Sequence, residues 1–134
     1  MSNSLTGGCL CGAVRFRLDG PQRDVVLCHC GQCRRWHGHV GAYTSVDSDG
    51  LTLTEQRGLA WFRSSSFAQR GFCRECGSSL FWQADGKKII SITAGALDAP
   101  THLATTIQIF TEDRGDYYAL DESIPVRLKT ASSG

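Results

Sequence analysis

The chain has 134 residues, 41% hydrophobic and 20% charged, with fourteen basic and thirteen acidic side chains. That length suits one ordinary domain, and the apolar share supports a core, which excludes a disordered chain. A formal charge of +1 gives no general pull toward nucleic acid or an anionic membrane, and no apolar run approaches the roughly 18 residues of a membrane helix.

In chain order, Met1 to Gly8 has neither the basic start nor the apolar stretch of a secretory leader, so a cytoplasmic location is expected. Val14, Phe16 and Leu18 alternate with Arg15, Arg17 and Asp19, the period of a half-buried strand. Asp19-Gly20-Pro21 reads as the turn that ends it. Val25 to Leu27 is a short apolar run, and Arg34 to His37 predicts one helical turn stopped by Gly38. Val40 to Val46 alternates weakly before the turn residues Asp47-Ser48-Asp49-Gly50. Further short strands are expected at Leu51 to Thr54, Leu59 to Arg63, Phe67 to Phe72, Leu80 to Gln83, Lys88 to Thr93 and Ile107 to Phe110, with a hairpin turn at Asp85-Gly86. The expectation is a mainly β fold in a single domain over residues 1–134, with its core at about 5–129 and a loose tail at 130–134.

Seven cysteines are the large departure from ordinary composition. An odd count does not close into disulfides alone, and clustered cysteines in a reducing compartment point to metal or redox chemistry. They fall as Cys9-x-Cys11, then Cys28-His29-Cys30-x-x-Cys33, then Cys73-x-x-Cys76-Gly77. A C-x-x-C turn aims both sulfurs at one ion, and a following glycine supplies the left-handed conformation such turns need. In an extended C-x-C, residues i and i+2 project to one side, so Cys9 and Cys11 form a pincer. Two thiolate pairs fill the four positions of tetrahedral zinc, while a triplet leaves one open, and an open position is where zinc does chemistry. Spacing alone also permits Cys73 and Cys76 to complete the triplet's site. A redox reading of Cys30-Gly31-Gln32-Cys33 would require the motif to open a helix in a βαβ unit, which the pattern lacks.

Other candidates stand near the cysteines. Arg34, Arg35, Arg70 and Arg74 suit the recognition of a substrate carboxylate, or simply offset thiolate charge. His29 could supply a fourth ligand, but neighbours in an extended chain point oppositely, which turns it away. His37 and His39 are candidates for acid–base work, whereas His102 shows no partner pattern. Trp36, Trp61, Trp82, Phe72 and Phe81 read as core or pocket wall. Three functions follow from this: a zinc enzyme acting on a small thiol adduct, a non-catalytic zinc-stabilised binding domain, and a redox thiol protein.

Three cysteine-bearing segments also carry a family resemblance: Gly7-Gly8-Cys9-Leu10-Cys11-Gly12-Ala13-Val14-Arg15-Phe16, Cys28-His29-Cys30-Gly31-Gln32-Cys33-Arg34, and Arg70-Gly71-Phe72-Cys73-Arg74-Glu75-Cys76-Gly77-Ser78-Ser79-Leu80-Phe81-Trp82. With the later Gly95-x-Leu97-Asp98 and Leu120-Asp121-x-x-Ile124-Pro125, the chain resembles the glutathione-dependent formaldehyde-activating (GFA) family, which includes centromere protein V. The resemblance implies a β-tent, antiparallel sheets pinned by zinc. It implies two zinc ions, a structural one on Cys9, Cys11, Cys73 and Cys76 and a catalytic-type one on Cys28, Cys30 and Cys33, the second of which can be labile. It further implies a carbon–sulfur lyase of the S-(hydroxymethyl)glutathione synthase type, with glutathione and formaldehyde as its small-molecule partners.

Overall fold

A computed structural model describes residues 4–129. The expected tail, 130–134, lies outside the described residues. The chain divides into two compact units, one of residues 4–23 and 44–102, the other of 24–43 and 103–129.

The first unit is built on alternation. In β2 (Arg15–Leu18), Phe16 and Leu18 are buried while Arg17 is exposed. β2 lies antiparallel between β1 (Leu5–Gly8) and β5 (Leu51–Glu55). An antiparallel meander follows: β6 (Leu59–Arg63), β7 (Ala68–Cys73), β8 (Ser79–Ala84) and β9 (Ile89–Thr93). The core joins the two sheets of this unit through Val14, Phe16, Leu18, Leu80, Phe81, Ile90 and Ile92. Phe16 meets Phe81 edge to face with ring centres 5.4 Å apart, a geometry aromatic quadrupoles favour.

β1 escapes the sequence pattern because Leu5-Thr6-Gly7-Gly8 looks like a turn. Its glycines serve close approach instead. A Cβ at Gly7 would sit 2.5 Å from the Ala96 carbonyl oxygen, and one at Gly8 would sit 2.4 Å from that of Val14. The Gly95-x-Leu97-Asp98 segment docks against this strand. The Asp98 N–H donates to the Thr6 carbonyl at 2.8 Å, and its carboxylate accepts from the Thr6 hydroxyl at 2.6 Å and from Arg15 at 2.7 Å.

In the second unit, β3 (Val25–Cys28) pairs antiparallel with the start of β4 (Gly41–Asp47), Cys28 opposite Gly41. On its other side β10 (Thr105–Ile109) runs parallel, with Ile109 opposite Cys28. Between β3 and β4 lies α1 (Gly31–His37), ended by Gly38 in the left-handed conformation at φ 81°. The helix starts earlier than Arg34 because Cys30 caps it: its sulfur accepts the Cys33 N–H at 3.3 Å, where a serine or aspartate oxygen is usual. After β10 the chain folds back, the Phe110 N–H bonding to the Lys129 carbonyl at 2.6 Å.

Candidate metal centres

Cys9, Cys11, Cys73 and Cys76 converge in the first unit, and Cys28, Cys30 and Cys33 in the second, the sulfurs of each group lying within 4.8 Å of one another. Each group could hold a metal ion.

In the first group, the Cys9–Cys11 and Cys11–Cys73 sulfurs are each 3.8 Å apart. A tetrahedron with Zn–S bonds of about 2.3 Å has edges of about 3.8 Å, so this donor set fits zinc. The C-x-C segment is a turn after β1 and not the extended pincer expected from its spacing. The Cys9 N–H reaches the Val14 carbonyl at 3.0 Å, the Val14 N–H reaches the Cys9 sulfur at 3.2 Å, and Gly12 bends the chain at φ 84°. The C-x-x-C turn matches its glycine signal: Gly77 stands at φ 83° and its N–H closes the turn on the Cys73 carbonyl at 2.7 Å. Ser78 stitches the two knuckles, its hydroxyl taking the Leu10 N–H at 3.0 Å and lying 3.1 Å from the Cys76 sulfur. That hydroxyl holds the Cys76 thiol down at about 5. Cys73 is fully buried, and Gly58 presses on it so closely that a Cβ there would sit 2.7 Å from the Cys73 sulfur and 2.8 Å from the Ala13 Cβ.

The second group is delivered by the end of β3, the cap of α1 and its first turn. Cys28 and Cys33 are buried and Cys30 is half-buried. Hydrogen bonds from Cys28 and then Cys33 push Cys30 down to about 2, while those from Cys30 and then Cys33 push Cys28 up. One thiolate is thus stabilised by two neighbouring thiols, and a soft divalent ion would replace those shared protons. Among the described residues no fourth histidine, cysteine or carboxylate joins this group.

His29 is no part of it. The residue is 3% exposed, with Nε2 at 2.9 Å from Gln108 Oε1 and Nδ1 at 2.6 Å from the Tyr118 hydroxyl. Burial pushes its pKa down, outweighing the Gln108 bond. His37 bonds the Tyr43 hydroxyl, and His39 Nδ1 lies 2.7 Å from that of Tyr117. Arg34 and Arg35 stand on α1, Arg35 exposed and Arg34 with its Nε buried without a hydrogen-bond partner. Arg70 is 3% exposed within β7 of the first unit, and Arg74 is exposed, donating to the Arg57 carbonyl at 3.3 Å. Gln108 and Tyr118 were not candidates in the sequence. The available signal was a glutamine bracketed by Ile107 and Ile109, a polar residue in an apolar strand.

Fold and sites together define a cysteine-rich β protein with two separate groups of metal-ligand type. A family model described as glutathione-dependent formaldehyde-activating enzyme matches residues 4–113, and the chain belongs to that family. An uncharacterized lyase of Schizosaccharomyces pombe is 29% identical over 114 residues, which span 84% of this chain and 82% of the relative. A Halomonas elongata protein provisionally named glutathione-dependent formaldehyde-activating enzyme is 32% identical over 110 residues, 71% of this chain and 66% of that one. A crystal structure of a Rhodobacter sphaeroides protein matches with a TM-score of 0.55 at 24% identity, covering 70% of this chain and 88% of that one, a likeness of fold alone. Among the described residues no helix is long and apolar enough to cross a membrane.

Proposed function

We propose that the chain is a zinc-dependent carbon–sulfur lyase-type enzyme that joins glutathione, or a related small thiol, to formaldehyde. The observation that carries this reading is the three-sulfur group of Cys28, Cys30 and Cys33, which gathers no fourth ligand among the described residues while both ring nitrogens of His29 are engaged elsewhere. The four-sulfur group is the structural zinc site on this reading, and residues 1–134 work as one domain. A cytoplasmic setting agrees with it, since reduced glutathione keeps thiols free there.

Cys28, Cys30 and Cys33 would hold the ion, and zinc on three thiolates would carry one excess negative charge and favour the thiolate form of an incoming thiol. Arg34 and Arg35 lie on the same helical turn as Cys33 and offer guanidinium groups to the substrate's carboxylates. Arg35 is exposed and Arg34 partly so, whereas Arg70 is buried in its strand and is the least suited of the three. In the reaction the substrate sulfur forms a bond to the formaldehyde carbon, the carbonyl π bond breaks, and the thiol proton ends on the new hydroxyl. Holding both reactants together removes translational entropy from the barrier.

Native mass spectrometry of the wild type and Cys30→Ser, with and without glutathione, tests the reading. Two zinc ions per chain and a glutathione adduct absent from Cys30→Ser are expected. A single zinc and no adduct, unchanged after adding metal, would instead make the chain a zinc-stabilised binding domain.

A further inference from the structure

His29 is a buried residue between two cysteines of the open group, and its hydrogen-bond directions can be worked out atom by atom. Gln108, 1% exposed, places its Nε2 at 2.9 Å from the Asp121 carbonyl and 3.3 Å from the Ile124 carbonyl. Carbonyls only accept, so Nε2 is the donor there and Oε1 is the atom turned to His29. His29 Nε2 therefore carries the proton and donates. Its Nδ1 is then bare and accepts from the Tyr118 hydroxyl, whose oxygen accepts the Gly115 N–H at 3.4 Å. The His29 backbone N–H donates to the Ile109 carbonyl at 3.0 Å. Every group in this set has one consistent direction, and residues 108–124 thereby grip His29 at three atoms.

From this geometry we infer that Gln108 and Tyr118 are positioning residues for the Cys28, Cys30 and Cys33 group, acting through His29 to hold the sulfurs in place before a metal arrives. The inference rests on the reading that this group holds zinc, but not on the identity of the thiol or aldehyde. A ring pinned at both nitrogens cannot rotate, and the peptide units on either side carry Cys28 and Cys30. The same grip withholds both His29 nitrogens from the metal, which keeps the fourth position for an outside ligand. The Leu120-Asp121-x-x-Ile124-Pro125 loop backs this grip by holding Gln108 through the Asp121 and Ile124 carbonyls. Asp121 organises it, its carboxylate accepting the Ser123 N–H at 2.9 Å, and the Gln108 N–H is tied to Pro125 at 2.9 Å. Tyr118 and this loop lie beyond residues 4–113, where the family model matches.

The test is chelator competition on the zinc-loaded full chain, followed by native mass spectrometry. The release step absent from Cys30→Ser identifies the metal of the open group. Tyr118→Phe and Gln108→Leu are expected to release that metal at roughly 10–100-fold lower chelator, the usual effect of losing an outer partner. The four-cysteine metal should leave at the wild-type concentration in both. Cobalt substitution adds a signature: the sulfur-to-cobalt band of the open group should change in both variants. Tyr117→Phe, which removes a hydroxyl bonded to His39 and not to His29, should change neither. Should Gln108→Leu unfold, Tyr118→Phe alone decides. Release at wild-type or higher chelator in Tyr118→Phe, with an unchanged cobalt band, would overturn the inference while leaving the zinc reading intact. A wild-type chain holding one metal would overturn both.

Discussion

Replacing Gly58 by alanine adds a single methyl group beside Cys73 without removing any sulfur. That methyl would lie 2.7 Å from the Cys73 sulfur and 2.8 Å from the Ala13 Cβ, where ordinary contact needs about 3.4–4 Å. Neither neighbour can yield easily. Ala13 and Cys73 are both fully buried, the Ala13 carbonyl accepts the Gly58 N–H at 2.9 Å, and Cys73 is held by the sulfur group. Overpacking of this kind costs about 1–3 kcal/mol. Removing a glycine from the unfolded chain offsets about 0.4–1 kcal/mol of that. The net is about 1–2 kcal/mol, which for a chain of this size lowers Tm by about 3–12 °C. Because the strain falls on a sulfur, the metal should also be lost at lower chelator concentration than in the wild type. Thermal unfolding by circular dichroism, with chelator competition alongside, reads both effects. A variant that melts within a degree of the wild type and holds its metal as tightly would refute the close packing of Gly58 on the cysteine site.

Cys73→Ser should leave the chain unfolded at room temperature, because a structural zinc site contributes about 10–16 kcal/mol and whole domains are stable by only about 5–15 kcal/mol; an unchanged melting curve would remove Cys73 from the ligand set. Gly77→Ala places a side chain at φ 83° where no atom lies within 4 Å, so its cost is conformational, about 1–2 kcal/mol, and urea titration should show a lower midpoint with an unchanged slope. The hydrogen bonds from Arg15 and then Thr6 hold the Asp98 carboxyl below its ordinary range, so its contribution is complete above about pH 4 and fades as pH falls through the lowered value. Asp98→Asn should accordingly melt below the wild type at neutral pH, and the gap should close in acid; a gap that widened in acid would contradict the sign.

Most strands are legible from apolar alternation or short apolar runs bounded by turn residues. Val14, Phe16 and Leu18 announce β2 by alternation alone, and Leu59–Arg63 was predicted to the residue, with Gly38 and Gly77 marking the ends of a helix and a knuckle. β1 was not legible, since its glycines serve contacts with Ala96 and Val14 that no local pattern encodes. Two pairs and a triplet of cysteines are readable from spacing, but which of them join is not, because residues 62 apart meet only in the folded chain. The start of α1 was hidden by a cysteine standing as its cap. Gln108 and Tyr118 were hidden for the same reason as the pairing: their partner is His29, about 80 positions back, and hydrogen bonding across that distance leaves no periodicity.

The distance between Cys11 and Cys73 also bears on how the chain is made. The three sulfurs from Cys28 to Cys33 are complete within six residues, whereas Cys9 and Cys11 wait for Cys73 and Cys76 to be synthesised. At about 5–20 residues per second that wait lasts about 3–13 seconds. During it the nascent chain displays five cysteine thiols in one stretch, enough to trap an ion between the early pair and the triplet. If both groups hold zinc, the yield of correctly loaded protein depends on how scarce free zinc is while the chain emerges, more than on how much is supplied once it is finished.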